Sequence, residues 1–163
     1  MNYESKIDAN ADTEDLTEVA NQCDLEITKS AIVALGNQDP GGIVSVDNFT
    51  GTQMDRLKLA SRAMGGAVKP LAEQINQVIK PEFYLVHQVP MLDDETRKMV
   101  NQPRVVIFDR NGEAYQAVSR GVYDSLALVV TMLPSTELPD DLAFKVLQSP
   151  TRNGRSVLKL EVV

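Results

Sequence analysis

The chain has 163 residues, 43% of them apolar, a net charge of −7, one cysteine, one histidine and no tryptophan. That length can bury one good core. The single Cys23 excludes an internal disulfide framework and any multi-cysteine zinc site, and the lack of an apolar run of about eighteen residues excludes a membrane-spanning helix.

The charge is unevenly placed. Residues 1–30 hold eight acids against two lysines, and the rest of the chain holds fifteen acids against fourteen bases. An acidic leader, placed at 1–26, therefore precedes a nearly neutral body, placed at 27–163, and a local basic groove on that body is compatible with the overall charge. The leader opens MNYESKIDANADTEDLTEV. It is poor in apolar residues and is expected to be flexible. It has neither the basic start nor the apolar stretch of a signal peptide, so a cytosolic protein is expected, in the host cytoplasm if the source is viral. The leader is either a solubilising tail or a segment that docks on a replication protein or competes with nucleic acid.

Ile32-Val-Ala-Leu35 fits a strand or a helix end, and GNQDPGG at 36–42 is a loop. Residues 52–64, TQMDRLKLASRAM, predict a helix, with Met54, Leu57, Ala60, Ser61 and Met64 at three- and four-residue spacing. A second short helix is expected over 70–79, opening at Pro70 and presenting Leu71, Ile75, Val78 and Ile79. These two form a helical insertion around 52–79. Residues 83–89, FYLVHQV, predict a strand. Residues 90–103 read as a charged connection bounded by prolines.

Then comes RVVIFDRNGEAYQAV at 104–118, two short strands around Asn111-Gly112. A helix over 119–133 follows, with Val122, Leu126, Val129, Val130 and Leu133 on one stripe. The chain ends in a second hairpin, FKVLQSPTRNGRSVLKLEVV, bent at Asn153-Gly154. From residue 80 the order is strand, strand, strand, helix, strand, strand. That is the order of an OB-type five-stranded Greek-key β-barrel with a helix between strands 3 and 4. The expected fold class is α+β, one OB-like domain with a helical segment before it or inserted in it.

A sheet wall bearing cations and a few rings suits single-stranded nucleic acid, because cations track phosphates and any base can stack on an aromatic ring. The cations placed on that wall are Arg104, Arg110, Arg120, Lys145, Arg152, Arg155 and Lys159, and the rings are Tyr84 and Tyr115. His87 is either a packed ring or a third contact surface. Phenylalanines default to the core, and Tyr123 to a structural place on the helix. With one histidine and no CxxC or HExxH, no metal or other cofactor is expected. Asp93-Asp94-Glu95 and Asp140-Asp141 read as solvated loop charge. A metal-dependent nuclease using Asp109, or Asp93 with Glu95, is the enzymatic rival, and a non-enzymatic protein-interaction or structural module, such as a replisome adaptor or a virion-associated barrel, is the other, which would form defined homo-oligomers.

The run from Val106 through IFDRNGEAYQAVSRGVYDSL, the strand Lys145-Val146-Leu147-Gln148, and the close around Asn153-Gly154 resemble the single-stranded-DNA-binding proteins of small Bacillus phages that prime replication with a terminal protein. The likeness covers residues 80–163, and 32–50 more loosely. It implies a non-enzymatic protein that coats single strands during replication, and it makes Tyr115, in Ala114-Tyr115-Gln-Ala117-Val-Ser119, a stacking candidate. The chain departs from the family in its acidic leader, in the insertion at 52–79, and in having Val86 and His87 where a tyrosine–lysine pair would stand.

Overall fold

The structure is a computed structural model that describes Ile32, residues 45–151 and residues 154–163. The acidic leader, the GNQDPGG loop, Arg152 and Asn153 lie outside the described residues. Within them the chain forms eight strands and two α-helices: β1 (Ser45–Asp47), α1 (Gln53–Met64), β2 (Lys69–Pro70), β3 (Val78–Ile79), β4 (Pro81–Leu92), β5 (Met99–Asp109), β6 (Ala114–Val118), α2 (Arg120–Met132), β7 (Phe144–Pro150) and β8 (Ser156–Val162).

Both helices start where the sequence offers a cap. The Thr52 hydroxyl accepts from the Asp55 amide at 3.2 Å, and the Asp55 carboxylate accepts from the Thr52 amide at 3.3 Å, the reciprocal pairing of a capping box. Ser119 opens α2 by accepting from the Val122 amide. The second expected helix is only a 3-10 turn, Leu71–Gln74. Leu71 and Ile79 are both buried, but they get there by different routes. Asn76 takes a positive φ of 67°, which ends the turn and sends the chain into β3.

The strands form a five-stranded sheet in the order β1-β4-β5-β6-β2 and a three-stranded sheet in the order β3-β7-β8. Among the described residues no ladder closes them into a single barrel, so the expected closed sheet gives way to two sheets sharing a core. Only Lys80 separates β3 from β4, so one nearly continuous run of chain serves both sheets. The helix expected between the third and fourth strands of the 80–163 region is α2, between β6 and β7.

The first long hairpin is larger than the sequence predicts. Its arms run to Leu92 and back from Met99, in register as Met91↔Val100, Val89↔Gln102 and His87↔Arg104. The charged connection shrinks to 93–98. Proline lacks an amide donor and argues against a strand, unless it sits where no neighbour needs one. Pro103 lies beyond Arg104, where β6 stops, and so sits on a free strand edge, while Pro90 lies beyond His87, the last β4 residue paired with β1 among the described residues.

Strand alternation gives the large sheet two apolar faces. The inner face carries Tyr84, Val86, Val105, Ile107, Tyr115 and Ala117, packed with Val122, Tyr123, Leu126 and Val130 of α2 and with Phe144, Val146 and Leu160 of the small sheet. Ile32 joins this core, and its carbonyl accepts from the Tyr123 hydroxyl. The outer face carries Leu85, Val106, Phe108 and Ala114, covered at one end by Ala63 of α1 and by Val68.

Candidate nucleic-acid interface

The outer face of the sheet changes character along its length. At the end covered by α1 it is apolar. Beyond His87 and Arg104 it is open. There Met91, Val100, Gln102 and Val118 form the floor of a cleft of about 180 Å³, and Leu92, Asp93, Asp94 and Arg155 form its walls. Met91, Leu92 and Val118 are between 43% and 49% exposed, so among the described residues no side chain covers this apolar surface.

Two hairpin tips close the mouth of the cleft. One is the β4–β5 loop, where the Asp93 carboxylate accepts from the amides of Glu95 and Thr96 at 3.1 and 2.6 Å and from the Thr96 hydroxyl at 2.8 Å. These bonds, the Thr96 amide foremost, hold the Asp93 carboxyl below the usual carboxylate range. The loop also places Arg97, at a φ of 56°, beside Lys98. The other tip is the β7–β8 loop, where Arg155 pairs with Glu95 at 3.6 Å, both side chains well exposed.

Arg104 marks the boundary between the open and covered ends. Its guanidinium donates to Gln116 Oε1 (Nε at 2.8 Å), to the Ala63 carbonyl at 2.8 Å, and lies 3.6 Å from the Met64 sulfur. Opposite it, His87 is buried with Nδ1 lacking a hydrogen-bond partner among the described residues. Burial, and secondarily the Arg104 charge, lower its pKa.

The residues picked from the sequence scatter around this frame. Arg104 and Arg155 flank the cleft. Lys159 is exposed on β8, beside Gly121 and so next to Arg120 at the start of α2; Arg120 itself pairs with Asp124 at 2.9 Å. Arg110 is bound to Asp140 at 2.8 Å in another part of the molecule. Lys145 is half-buried opposite Val78 and Glu161. The two tyrosines proposed for stacking need correction. Tyr84 and Tyr115 are 1% and 6% exposed and face the inner core, so neither ring offers a face to a base in this conformation. The Tyr84 hydroxyl has no partner among the described residues, and burial raises its pKa. His87, likewise 5% exposed, is a packed ring.

The cleft residues Met91, Val100 and Gln102 were missed because Pro90 and Pro103 disguised the hairpin arms as a loop. The carboxylates weighed for a nuclease do not assemble. Asp109 is buried and accepts from the Asn111 amide, Asp93 is engaged by its own loop, and no three His, Cys, Asp or Glu residues among those described could hold a metal together.

Comparison with known proteins adds one match. The family model described as phage single-stranded DNA-binding protein covers residues 50–163, which includes α1, both sheets from β2 onward, α2 and the cleft. No curated protein and no solved structure matches the chain.

Proposed function

The chain belongs to the phage single-stranded DNA-binding protein family and binds single-stranded DNA during replication, and on that premise we propose that the strand lies in the cleft between the β4–β5 and β7–β8 hairpins. The observation that carries this reading is the meeting of the two tips, Glu95 with Arg155, across the open end of the β5–β6 face. The fold is then an opened OB-type barrel. The β3–β4 run, β5, β6, β7 and β8 are its five strands, with α2 between the third and fourth, and the two hairpin loops correspond to the pair that OB folds use for oligonucleotides.

In this reading Arg155, Arg104, Arg97 and Lys98 take phosphates, and Lys159 and Arg120 continue the basic edge toward α2. Met91, Leu92, Val100 and Val118 give bases an apolar floor, and Gln102 a hydrogen-bonding point. Little here distinguishes one base from another, so binding is sequence-tolerant. The protein coats the strand and performs no chemistry on it. It works in the host cytoplasm. Among the described residues, no helix is long and apolar enough to cross a membrane.

Titration of single- and double-stranded oligonucleotides at two salt concentrations tests the proposal. Preference for single strands, with affinity falling steeply as salt rises, is expected from counterion release. Equal affinity for duplex, or binding indifferent to Arg155→Ala and Gln102→Ala together, would remove the cleft from the account.

A further inference from the structure

We propose that Phe49, Phe83 and Phe108, on the covered end of the same sheet face, form a second base-binding subsite that single-stranded DNA reaches by displacing α1. The inference rests on the cleft reading above and extends it. Phe83 and Phe108 are register partners on β4 and β5, two of the three strands that floor the cleft. From Val100 to Phe108 the face runs on the order of 26 Å at about 3.3 Å per residue, and α1 lies over its far half.

The rings form an exposed-edged aromatic cluster. Phe49 meets Phe83 at 5.8 Å and Phe108 at 5.6 Å between centroids, both edge to face, and Phe49 and Phe83 are only half-buried. The Arg62 guanidinium rests 5.7 Å from the Phe108 centroid. A planar cation thus occupies a ring face on which a planar base could stack.

The cover is held loosely. In α1 only Ala63 is buried, and Met54, Leu57 and Met64 point outward at 57–60% exposure. Leu59 packs half-buried against the same apolar face, and the remaining ties to the sheet are polar: Arg56 to Asp47 at 2.8 Å, Arg62 to the Gly112 carbonyl, and Arg104 to the Ala63 carbonyl. Phosphates can replace each partner of these arginines. The helix is bracketed by Gly51, at a φ of 102°, and Gly65-Gly66, with Gly66 at 83°, conformations that allow a hinge at either end. Lifting α1 frees Arg62 and Arg104 for the backbone of the strand that takes its place.

Hydrogen exchange on the full chain, free and saturated with short or long oligo-dT, tests this directly. Long oligo-dT is expected to strip protection from the amides of α1, and oligo-dT too short to pass Arg104 is not. Phe83→Leu should weaken long oligo-dT more than short, by roughly fivefold or more for one lost stacking contact. Ala63→Gln, which unseats the helix, should tighten long oligo-dT by about threefold or more, because the covered state no longer competes. If that variant folds poorly, exchange on the unaltered chain still decides. Undiminished α1 protection under saturating long oligo-dT, with Phe83→Leu equal to the parent, overturns the proposal. If Arg155→Ala and Gln102→Ala still weaken short oligo-dT in that case, the cleft reading survives alone; if they do not, both fall.

Discussion

A Cβ atom built on Gly121 would lie 2.5 Å from the carbonyl oxygen of Leu158 and 2.9 Å from a methyl of Val157. The first turn of α2 therefore approaches the backbone of β8 as closely as a residue without a side chain permits. The Ser119 hydroxyl donates to the same carbonyl at 3.3 Å, and the Ser125 hydroxyl accepts from the Leu160 amide at 3.3 Å. A helix N-terminus and a strand edge are thus joined by direct polar contacts. Gly121→Ala is expected to cost about 1–3 kcal/mol, since the obstructing atom is backbone and cannot rotate away. The urea midpoint should fall with the slope of the transition unchanged; an unchanged midpoint would mean that α2 can slide along β8 without loss.

Tyr115 allows the core and the binding site to be separated. Its ring belongs to the inner core with Ile107, Ala117 and Leu126. Tyr115→Leu should lower stability by about 1–3 kcal/mol, while the folded fraction keeps the DNA affinity of the parent. A base-stacking ring would give the reverse pattern, with affinity lost and stability retained.

How far the sequence foretold this protein depends on which signal each residue carried. The α2 stripe was legible, because Val122, Leu126 and Val130 recur at helical spacing and all three are buried. The turn at Gly112 was legible because its φ of 86° suits glycine. The face on which a ring lands was not. The strand from Phe83 to Gln88 is covered on both sides, by α2 and the small sheet on one and by α1 on the other, so alternation of polar and apolar residues does not mark its outside. Tyr84, read as a stacking ring, is core. The hairpin arm around Pro103 was hidden for a related reason, since a free strand edge depends on where the neighbouring strand stops.

His87 predicts a pH dependence of stability. Its folded pKa lies below the ordinary value of 6.5, because burial and the facing Arg104 disfavour the imidazolium. Below pH 6.5 the unfolded chain takes up a proton that the folded chain declines, so stability present above that value is lost as pH falls toward the folded pKa. Thermal midpoints measured between about pH 5 and pH 8 should drop on the acid side for the parent and drop less for His87→Gln. Parallel curves for the two proteins would assign the acid sensitivity to carboxylates instead.

Arg155 and Arg110 were equivalent on paper, each an arginine at a hairpin bend. The structure separates them, with Arg155 on the cleft and Arg110 tied to Asp140 at 2.8 Å and directed toward the carbonyls of Leu138 and Pro139. Arg155→Ala should weaken binding to all sequences alike and reduce the slope of log affinity against log salt by about one. Arg110→Ala should leave that slope in place. Equal losses for the two would show a footprint wider than the cleft.

Glu95 and Asp93 carry the same charge at the same hairpin tip, yet their removal should act in opposite directions. The Glu95–Arg155 pair is long, at 3.6 Å, with both side chains about two-thirds exposed. Such a pair adds little to stability, but its carboxylate competes with phosphate for Arg155. Glu95→Gln should therefore raise affinity for oligo-dT by about two- to fivefold at low salt, an advantage that screening removes as salt rises. Asp93 instead organises the loop, accepting three hydrogen bonds from Glu95 and Thr96, and the turn that places Arg97 and Lys98 depends on it. Asp93→Ala deletes a negative charge as well, and on charge alone it too would tighten binding. Because those three hydrogen bonds set the loop's shape, Asp93→Ala is expected to weaken binding instead, with the amide exchange of residues 94–98 accelerated. Tighter binding by both variants would reduce the tip to a cluster of charges and remove its geometry from the account.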